Sequence, residues 1–406
     1  MTKQDSDPGE QTSSSTETLW EFVPLADHRL PPTPTVSAAQ NRWGSLKRLF
    51  GGRNTKAPAK AEDDLQGLPQ ARLDALVRPL DWYTGADALQ RAFEQSADQS
   101  LVRVLVGPPH GGHADLLRSW ASRQGALQIE EPSFEDILSG GNAWLSRWRS
   151  GARPWVLPRL ENCWLRHPAG LGLARALMEQ ALIGDLGRGV IGCDSWAWSY
   201  LGHVAPLPVA GVLTLQAFDS GRLAKLFRSL TLAGPERPVL FCNARTGKRI
   251  LSVPADDDGD AGLELQNLAA HARGNPGIAR ALWRARLRAE PESGEESADE
   301  DAPDEGNPAE EIVWVSSLRD EPELPDGLQD DIALVLHALL LHGGLPTPIL
   351  GNLLPLARFR LQAIVPQLCA SDIIERDESG FWRVTVSGYA PARAFLHERG
   401  FLVDAL

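Results

Sequence analysis

The stretch LVRVLVGPPHGGHA, residues 101–114, determines the fold class of this chain. Its first six residues form a short, β-branched apolar run, which predicts a buried strand. The glycine-rich turn that starts at Gly107 leads directly into a predicted helix over Ala114–Ser122. In that context the backbone N–H groups of the turn and the helix N terminus can cradle a phosphate group. A tight connection between a strand and a helix, without any ligand, is the simpler alternative.

Strands and helices alternate around this turn. Further strands are predicted at Leu127–Glu130, Trp155–Leu160, Gly189–Cys193 and Gly211–Leu215, and helices at Leu171–Ile183 and Arg222–Leu230. Since strands that alternate with helices form right-handed βαβ units, we expect an α/β domain with a parallel sheet over residues 71–218. A helical region is predicted to follow over residues 219–289, with helices at Leu263–Ala272 and Pro276–Arg288.

The C-terminal part, residues 312–406, shows a different order of elements. Helices are predicted at Asp330–His342, Ile349–Leu354, Arg358–Ser371 and Pro391–Glu398, with hairpin strands at Ile373–Arg376 and Phe381–Val386. Three helices followed by a two-stranded hairpin is the order of a winged helix. We therefore expect a winged-helix domain here.

The net charge of -13 comes almost entirely from one segment. Residues 290–311 hold eleven acidic side chains and no Lys or Arg, which leaves -2 for the rest of the 406-residue chain. Such a density of like charge predicts a solvated acidic linker. The overall acidity therefore says nothing about the partners of the folded parts.

The N-terminal segment, residues 1–70, is rich in Ser, Thr, Pro and Gln and is predicted to be disordered. Within it, residues 43–60 form a short basic amphipathic stretch that is suited to contact with an anionic membrane or a partner protein, although a solvated linker is the favoured interpretation. No apolar run resembles a signal peptide, and the four cysteines form no CxxC pair. We expect a cytoplasmic protein with buried free thiols.

Several landmarks follow one another in an order known from a protein family. They are the turn Gly107–Ala114, the strand end Trp155–Asn162, the triplet Cys193-Asp194-Ser195, the strand Leu213–Phe218 and the turn Gly274–Arg280. In this order the chain from about Leu73 to Arg288 resembles the AAA+ and STAND-like signal-transduction P-loop ATPases. The five landmarks match, in turn, Walker A, Walker B, the first sensor, the fifth strand, and the GNPG turn of the lid with the second-sensor arginine. The helical region then resembles their lid, and the tail their winged helix.

The resemblance implies a nucleotide site whose chemical groups are incomplete. Its residues would be Gly107, Gly111, Gly112, His113, Glu161, Asn162, Asp194 and Arg280. His113 stands where the family has its phosphate-binding Lys, and Ala114 where it has the Mg²⁺-binding hydroxyl. If Glu161 replaces the metal-positioning Asp, the amide of Asn162 stands at the position of the catalytic Glu. We expect weak or absent binding of ATP or ADP, no metal, and little hydrolysis.

The winged helix suggests protein partners more than DNA. Residues 327–406 carry eight acidic and six basic side chains and no Lys, whereas DNA-binding domains present a basic face. The first hypothesis is therefore a catalytically degenerate module that acts as a regulatory or assembly scaffold. Two alternatives stay open: an active nucleotide switch or ATPase that uses Glu161 and Arg280, and a DNA-binding regulator.

Overall fold

A computed structural model describes residues 19–33, 59–146, 153–208, 210–232, 238–251, 260–291, 310–318 and 320–406. Two sequence predictions lie mostly outside these ranges: the basic amphipathic stretch, apart from residues 59–60, and the acidic linker, apart from its two ends. At those ends Glu290 pairs with Lys60, at 3.1 Å, and Glu310 pairs with Arg249, at 3.0 Å. The ends of the acidic segment are therefore attached to the folded protein by ion pairs.

The strands are short and the helices range from five to 14 residues. The strands are β1 (Phe22–Pro24), β2 (Gln66–Gly67), β3 (Val102–Gly107), β4 (Leu127–Gln128), β5 (Trp155–Leu157), β6 (Gly189–Asp194), β7 (Val212–Leu215), β8 (Val239–Asn243), β9 (Leu287–Ala289), β10 (Glu311–Val315), β11 (Leu345–Pro346), β12 (Ile374–Arg376) and β13 (Phe381–Val384). The helices are α1 (Gln70–Leu76), α2 (Trp82–Gln95), α3 (His113–Gln124), α4 (Phe134–Leu138), α5 (Asn142–Ser146), α6 (Gly172–Ile183), α7 (Ser195–Val204), α8 (Ser220–Leu230), α9 (Asp260–His271), α10 (Pro276–Arg286), α11 (Gln329–Leu341), α12 (Thr347–Leu353), α13 (Arg358–Ala370) and α14 (Val386–Glu398).

The central sheet has six strands in the order β1-β7-β3-β6-β5-β4. All neighbouring pairs are parallel except β1 with β7. Alternate residues of β3 face opposite sides: Val104 and Val106 join the larger core, whereas Leu105 packs with α2 and α3. Both faces of the sheet are thus covered, as a parallel sheet requires. The prediction of an α/β fold with a parallel sheet is confirmed for the five strands β3 to β7, and the edge strand β1 is antiparallel to them.

Two details of this sheet differ from the sequence prediction. β5 ends at Leu157 rather than at residue 160, because Pro158 has no N–H group with which to continue the ladder. Residues 19–33, assigned to a disordered segment, contribute the edge strand β1, and Trp20 is buried beside Phe218 at 5.6 Å. A run of only a few apolar residues has no periodicity, so pattern analysis missed it.

The region predicted to be helical contains a second sheet. Its four strands lie in the order β2-β9-β10-β8, and β10 pairs parallel with β8 and antiparallel with β9. β10 lies in the stretch predicted as part of the C-terminal domain, but its partners β8 and β9 place it in this sheet. We call residues 220–291 with 310–315 the middle unit. Trp283 lies in its core, stacked on Phe227 with ring centroids 4.6 Å apart.

The C-terminal unit, residues 328–398, begins with the largely buried helix α11. The strand β11 and the helices α12 and α13 follow, and the hairpin β12–β13 completes a sheet in the order β11-β13-β12. The last helix begins at Val386 rather than at Pro391, because Thr385 accepts a hydrogen bond from the N–H of Gly388 and so caps it. Among the described helices, none has both the length and the apolarity that crossing a bilayer requires.

Candidate functional site

The loop between β3 and α3, residues 107–112, is shaped by its glycines; we call it the glycine loop. Gly112 has a left-handed backbone with φ 78°, and a Cβ atom there would lie 2.2 Å from Cζ2 of Trp82. A Cβ on Gly111 would lie 2.8 Å from the carbonyl oxygen of Pro108, and one on Gly107 2.8 Å from Cβ of His113. The glycines therefore allow close approach of the loop to its own backbone and to the ring of Trp82.

His113, which stands where the P-loop ATPases have their phosphate-binding lysine, contacts the carboxylate of Glu161. Nε2 of His113 lies 3.3 Å from Oε1 of Glu161, and Oε2 of Glu161 accepts a hydrogen bond from the N–H of Asp194 at 3.0 Å. Burial favours the neutral form of Glu161, but the charge and hydrogen bond of His113 and the hydrogen bonds of backbone N–H groups together outweigh it, and the pKa of Glu161 is lowered. A carboxylate with these two contacts is already satisfied by the protein.

Asp194 ends β6 and caps α7, because its side chain accepts a hydrogen bond from the N–H of Trp196 at 2.9 Å. Burial, and next the charge of Glu161, raise its pKa well above the ordinary range. The structure therefore brings His113, Glu161 and Asp194 together at the end of the sheet. Their hydrogen bonds are to one another and to backbone groups.

Two other predicted site residues lie elsewhere. The amide of Asn162 donates to Oε2 of Glu131 at 2.6 Å, and Asn162 does not line the cavity that holds Asp194. Arg280, predicted as a second sensor, donates to the carbonyl oxygens of Arg78 and Val77 at 2.6 and 3.0 Å. A guanidinium bound to these carbonyl groups is not directed at the glycine loop. The order of motifs along the chain cannot distinguish these orientations.

The turn Gly274-Asn275-Pro276-Gly277 attaches the middle unit to the glycine loop. The side-chain oxygen of Asn275 accepts hydrogen bonds from the first N–H groups of α10, and its amide donates to the carbonyl oxygen of Pro109 at 2.7 Å. A Cβ atom on Gly277 would lie 1.9 Å from the carbonyl oxygen of His110. Only a residue without a side chain allows this contact, so Gly277 sets the distance between the two elements.

Two cavities flank the glycine loop. The first, of about 30 Å³, lies between the loop and the middle unit and is lined by residues that include Trp82, His113, Arg273, Tyr389 and Leu406. That volume holds about one water molecule. The second, of about 230 Å³, lies between the loop and the C-terminal unit, where two arginines, Arg159 and Arg383, were missed by the sequence analysis. Neither cavity has the volume of an ordinary small-molecule site, about 300 to 1,000 Å³.

Mg²⁺-ATP, which the family resemblance implies, does not fit these residues. Ala114 has no oxygen ligand, and Glu161 already binds His113 and the N–H of Asp194. Within the described part of the chain, no group of three or more His, Cys, Asp or Glu side chains is arranged to hold a metal ion. Of the two cavities beside the loop, that of about 30 Å³ is far too small for a nucleoside, and that of about 230 Å³ is below the volume of an ordinary small-molecule site.

Comparisons with known proteins yield only distant similarities. No family model matches the chain, and no curated protein sequence matches it. Drosophila ORC bound to DNA aligns at a TM-score of 0.34 and 11% identity over 90% of this chain and 100% of that one. A Walker-type ATPase of Pyrococcus abyssi aligns at 0.25 and 12% over 80% of this chain and 98% of its own. Both scores are too low to argue from, so function must be inferred from the chain's own strand order and loop geometry.

Proposed function

We propose that this chain is a catalytically degenerate P-loop ATPase-like module, of the AAA+ or STAND-like type, that serves as a regulatory or assembly scaffold. The single observation that carries the proposal is the contact between His113 and Glu161. In an active site of this type the residues at these positions bind phosphate and position the metal. Here they bind each other.

The strand order supports a P-loop ancestry. Counted along the chain from β3, the parallel strands lie in the order 5-1-4-3-2, with the glycine loop leaving the first of them. The chain continues from β3 toward β4 on one side and adds β7 on the other, so the loop stands at a topological switch point. Ligands of open α/β sheets bind at such points. The position suits a phosphate, whereas the side chains do not.

Hydrolysis of a nucleotide requires three contributions that this site lacks. Phosphate charge must be neutralised, Mg²⁺ must be held, and a water molecule must be oriented. His113 is engaged with Glu161, Ala114 has no side-chain oxygen, and Asn162 is hydrogen-bonded to Glu131. An amide at that position cannot act as a base. The proposed module therefore binds nucleotide weakly or not at all.

We further propose that the C-terminal unit is a winged helix that docks proteins rather than DNA. Its third helix, α13, exposes Arg358 and Arg360 in its first turn and, further along, the uncharged residues Gln362, Ala363, Pro366 and Gln367, with Phe359 beside the arginines. Phe359 is 69% exposed, and Arg360 is paired with Asp331 at 2.7 Å. An exposed aromatic ring is typical of protein contacts. Beyond its first turn α13 exposes no charged side chain, whereas DNA-binding domains present a basic face.

An assay of the full chain tests the catalytic part of the proposal. Phosphate release from ATP is measured with and without Mg²⁺, beside the variants Glu161→Gln and Arg280→Ala. We expect no release above the protein-free control. Turnover that rises with Mg²⁺ and is lost in either variant would contradict the proposal and favour the active-switch alternative.

A capture experiment tests the scaffold part. The full chain and the variant Phe359→Ser are used to capture proteins from an extract of the native host. The control variant Ile183→Ser changes an equally exposed side chain on α6. We expect a discrete partner that is lost only with Phe359→Ser. Fluorescence anisotropy with duplex DNA at physiological salt is the parallel measurement, and sub-micromolar, sequence-dependent affinity there would favour the DNA-binding regulator instead.

A further inference from the structure

The C-terminal tail, residues 399–406, runs back across three parts of the molecule after α14 ends. The carbonyl oxygen of Leu402 accepts a hydrogen bond from Nε2 of His337 at 3.2 Å, and the ring of Phe401 lies 5.1 Å from that imidazole. Beyond this point the tail contacts the start of α7 and then enters the small cavity beside the glycine loop. The tail therefore touches the α/β domain, the middle unit and the C-terminal unit.

Asp404 is the polar anchor of this tail. Its carboxylate is 2% exposed and accepts hydrogen bonds from Oγ of Ser195 at 2.6 Å and from Nε of Arg393 at 3.0 Å. Arg393 also donates to the carbonyl oxygen of Asp404 at 2.9 Å, and the hydroxyl of Tyr389 lies 3.4 Å from the carboxylate. These partners recognise a carboxylate specifically, because an uncharged residue in its place would leave buried hydrogen-bond donors without an acceptor.

Leu406 lines the cavity between the glycine loop and the middle unit. Its side chain is 6% exposed, and its carbonyl oxygen accepts hydrogen bonds from Nε and Nη2 of Arg273 at 3.0 and 2.7 Å. Arg273 adopts a left-handed backbone, φ 52°, immediately before the GNPG turn. With Leu406 in place only about 30 Å³ remains in this cavity. Leu406 thus leaves little free space beside the glycine loop.

The tail is held by the side chains of its surroundings rather than by secondary structure. Within the described residues, no backbone N–H of residues 402–406 donates a hydrogen bond. Residues 401–406 belong to no helix or strand. No helix or strand has to break for this segment to leave its site, because it is held by the burial of Asp404 and Leu406 and by the side chains that donate hydrogen bonds to them.

We infer that the cleft where the glycine loop, the start of α7, the middle unit and α14 meet is a peptide-binding groove, and that residues 401–406 are its internal ligand. Ser195 and Arg393 bind an acidic side chain, and Arg273 binds the carbonyl group two residues later. The cavity accommodates a Leu side chain. The groove's external ligand is an extended peptide with the same acid-x-Leu chemistry, and it must displace the tail to bind. The inference deepens the proposed function, on which it rests, because it gives the degenerate cleft a peptide in place of a nucleotide.

The test uses a peptide of residues 399–406, RGFLVDAL, with a fluorescein at its N terminus. Anisotropy measures its binding to the full chain and to a variant that lacks residues 401–406. We expect binding to the shortened variant, and at least tenfold weaker binding to the full chain, because the attached tail competes at high effective concentration. A peptide with Ala in place of the Asp should bind the shortened variant at least tenfold more weakly. Equal affinity for both chains, or no affinity for a shortened chain with an unchanged circular dichroism spectrum, overturns the inference.

A second measurement uses the full chain in case the shortened variant does not fold. Hydrogen exchange is compared between the unaltered chain, Asp404→Asn and the control Glu398→Ala, which removes an exposed carboxylate just before the tail. Faster exchange at residues 272–277 in Asp404→Asn alone supports the groove, and unchanged exchange contradicts it. Phosphate release by the shortened variant would refute the degenerate site and leave the peptide result standing, so the two failures can be told apart.

Discussion

A pH titration of stability tests the buried contact between α11 and the α/β domain. His337 and His342 face this domain: Nη1 of Arg166 lies 3.2 Å from Nδ1 of His337, and the N–H of Arg166 donates to Nε2 of His342 at 3.3 Å. Burial, followed by the charge of Arg166, lowers the pKa of His337 from 6.5 to about 4. Burial lowers the pKa of His342 to about 3. Both side chains are therefore neutral in the folded protein at pH 7.

The sign and size of the effect follow from proton linkage. In the unfolded chain each histidine binds a proton as the pH falls below 6.5, whereas the folded protein does not until pH 4 or lower. Stability is thus fully present above pH 6.5 and is lost as the pH falls toward 4. At about 1.4 kcal/mol per pH unit for each group, two histidines remove about 4 kcal/mol between pH 6.5 and 5. That is a large part of the stability of a typical domain, about 5–15 kcal/mol.

Urea unfolding, followed by tryptophan fluorescence at pH 7.5 and pH 5, measures this loss. The double variant His337→Gln/His342→Gln cannot titrate at these positions, so its loss of free energy should be about 4 kcal/mol smaller than that of the unaltered chain. The raised pKa of Asp194 acts in the opposite direction but is common to both proteins. His397→Gln, at an exposed position, is the control and should behave as the unaltered chain. Equal losses in the double variant and the unaltered chain would refute the reasoning.

Two further changes test the glycine loop and the middle unit. Gly112→Ala should lower the melting temperature more than Gly125→Ala, because both residues have left-handed backbones, which cost about 1–2 kcal/mol for Ala, but only Gly112 also meets the ring of Trp82. Equal shifts in calorimetry would mean that the ring moves away freely. Glu264→Gln should destabilise the protein by about 3–5 kcal/mol in urea unfolding, because Arg286, 2% exposed, loses its ion-pair partner. A loss near that of an exposed Glu→Gln change would show that the pair contributes little.

The sequence alone determined the elements whose signal is local. The β-branched run before Gly107 predicts β3, and the helix after it follows from apolar periodicity. The hairpin around residues 377–380 and the helices α11 and α13 lie within one or two residues of their predicted bounds. These features depend on residues that are close in the chain, so their patterns can be read without the fold.

Only the tertiary structure decided which distant segments meet. The pairing of β10 with β8 joins segments about 70 residues apart, and the residue pattern of neither strand indicates which strand it pairs with. The same holds for the arginines: Arg280 occupies the familiar position after the GNPG turn, yet Arg273 faces the cavity beside the glycine loop. The place of Asp404 beside Ser195 is decided by the path of the tail over α11. Long-range contacts of this kind depend on how the elements pack and are buried in three dimensions. The order and periodicity of residue types along the chain do not show which elements pack together.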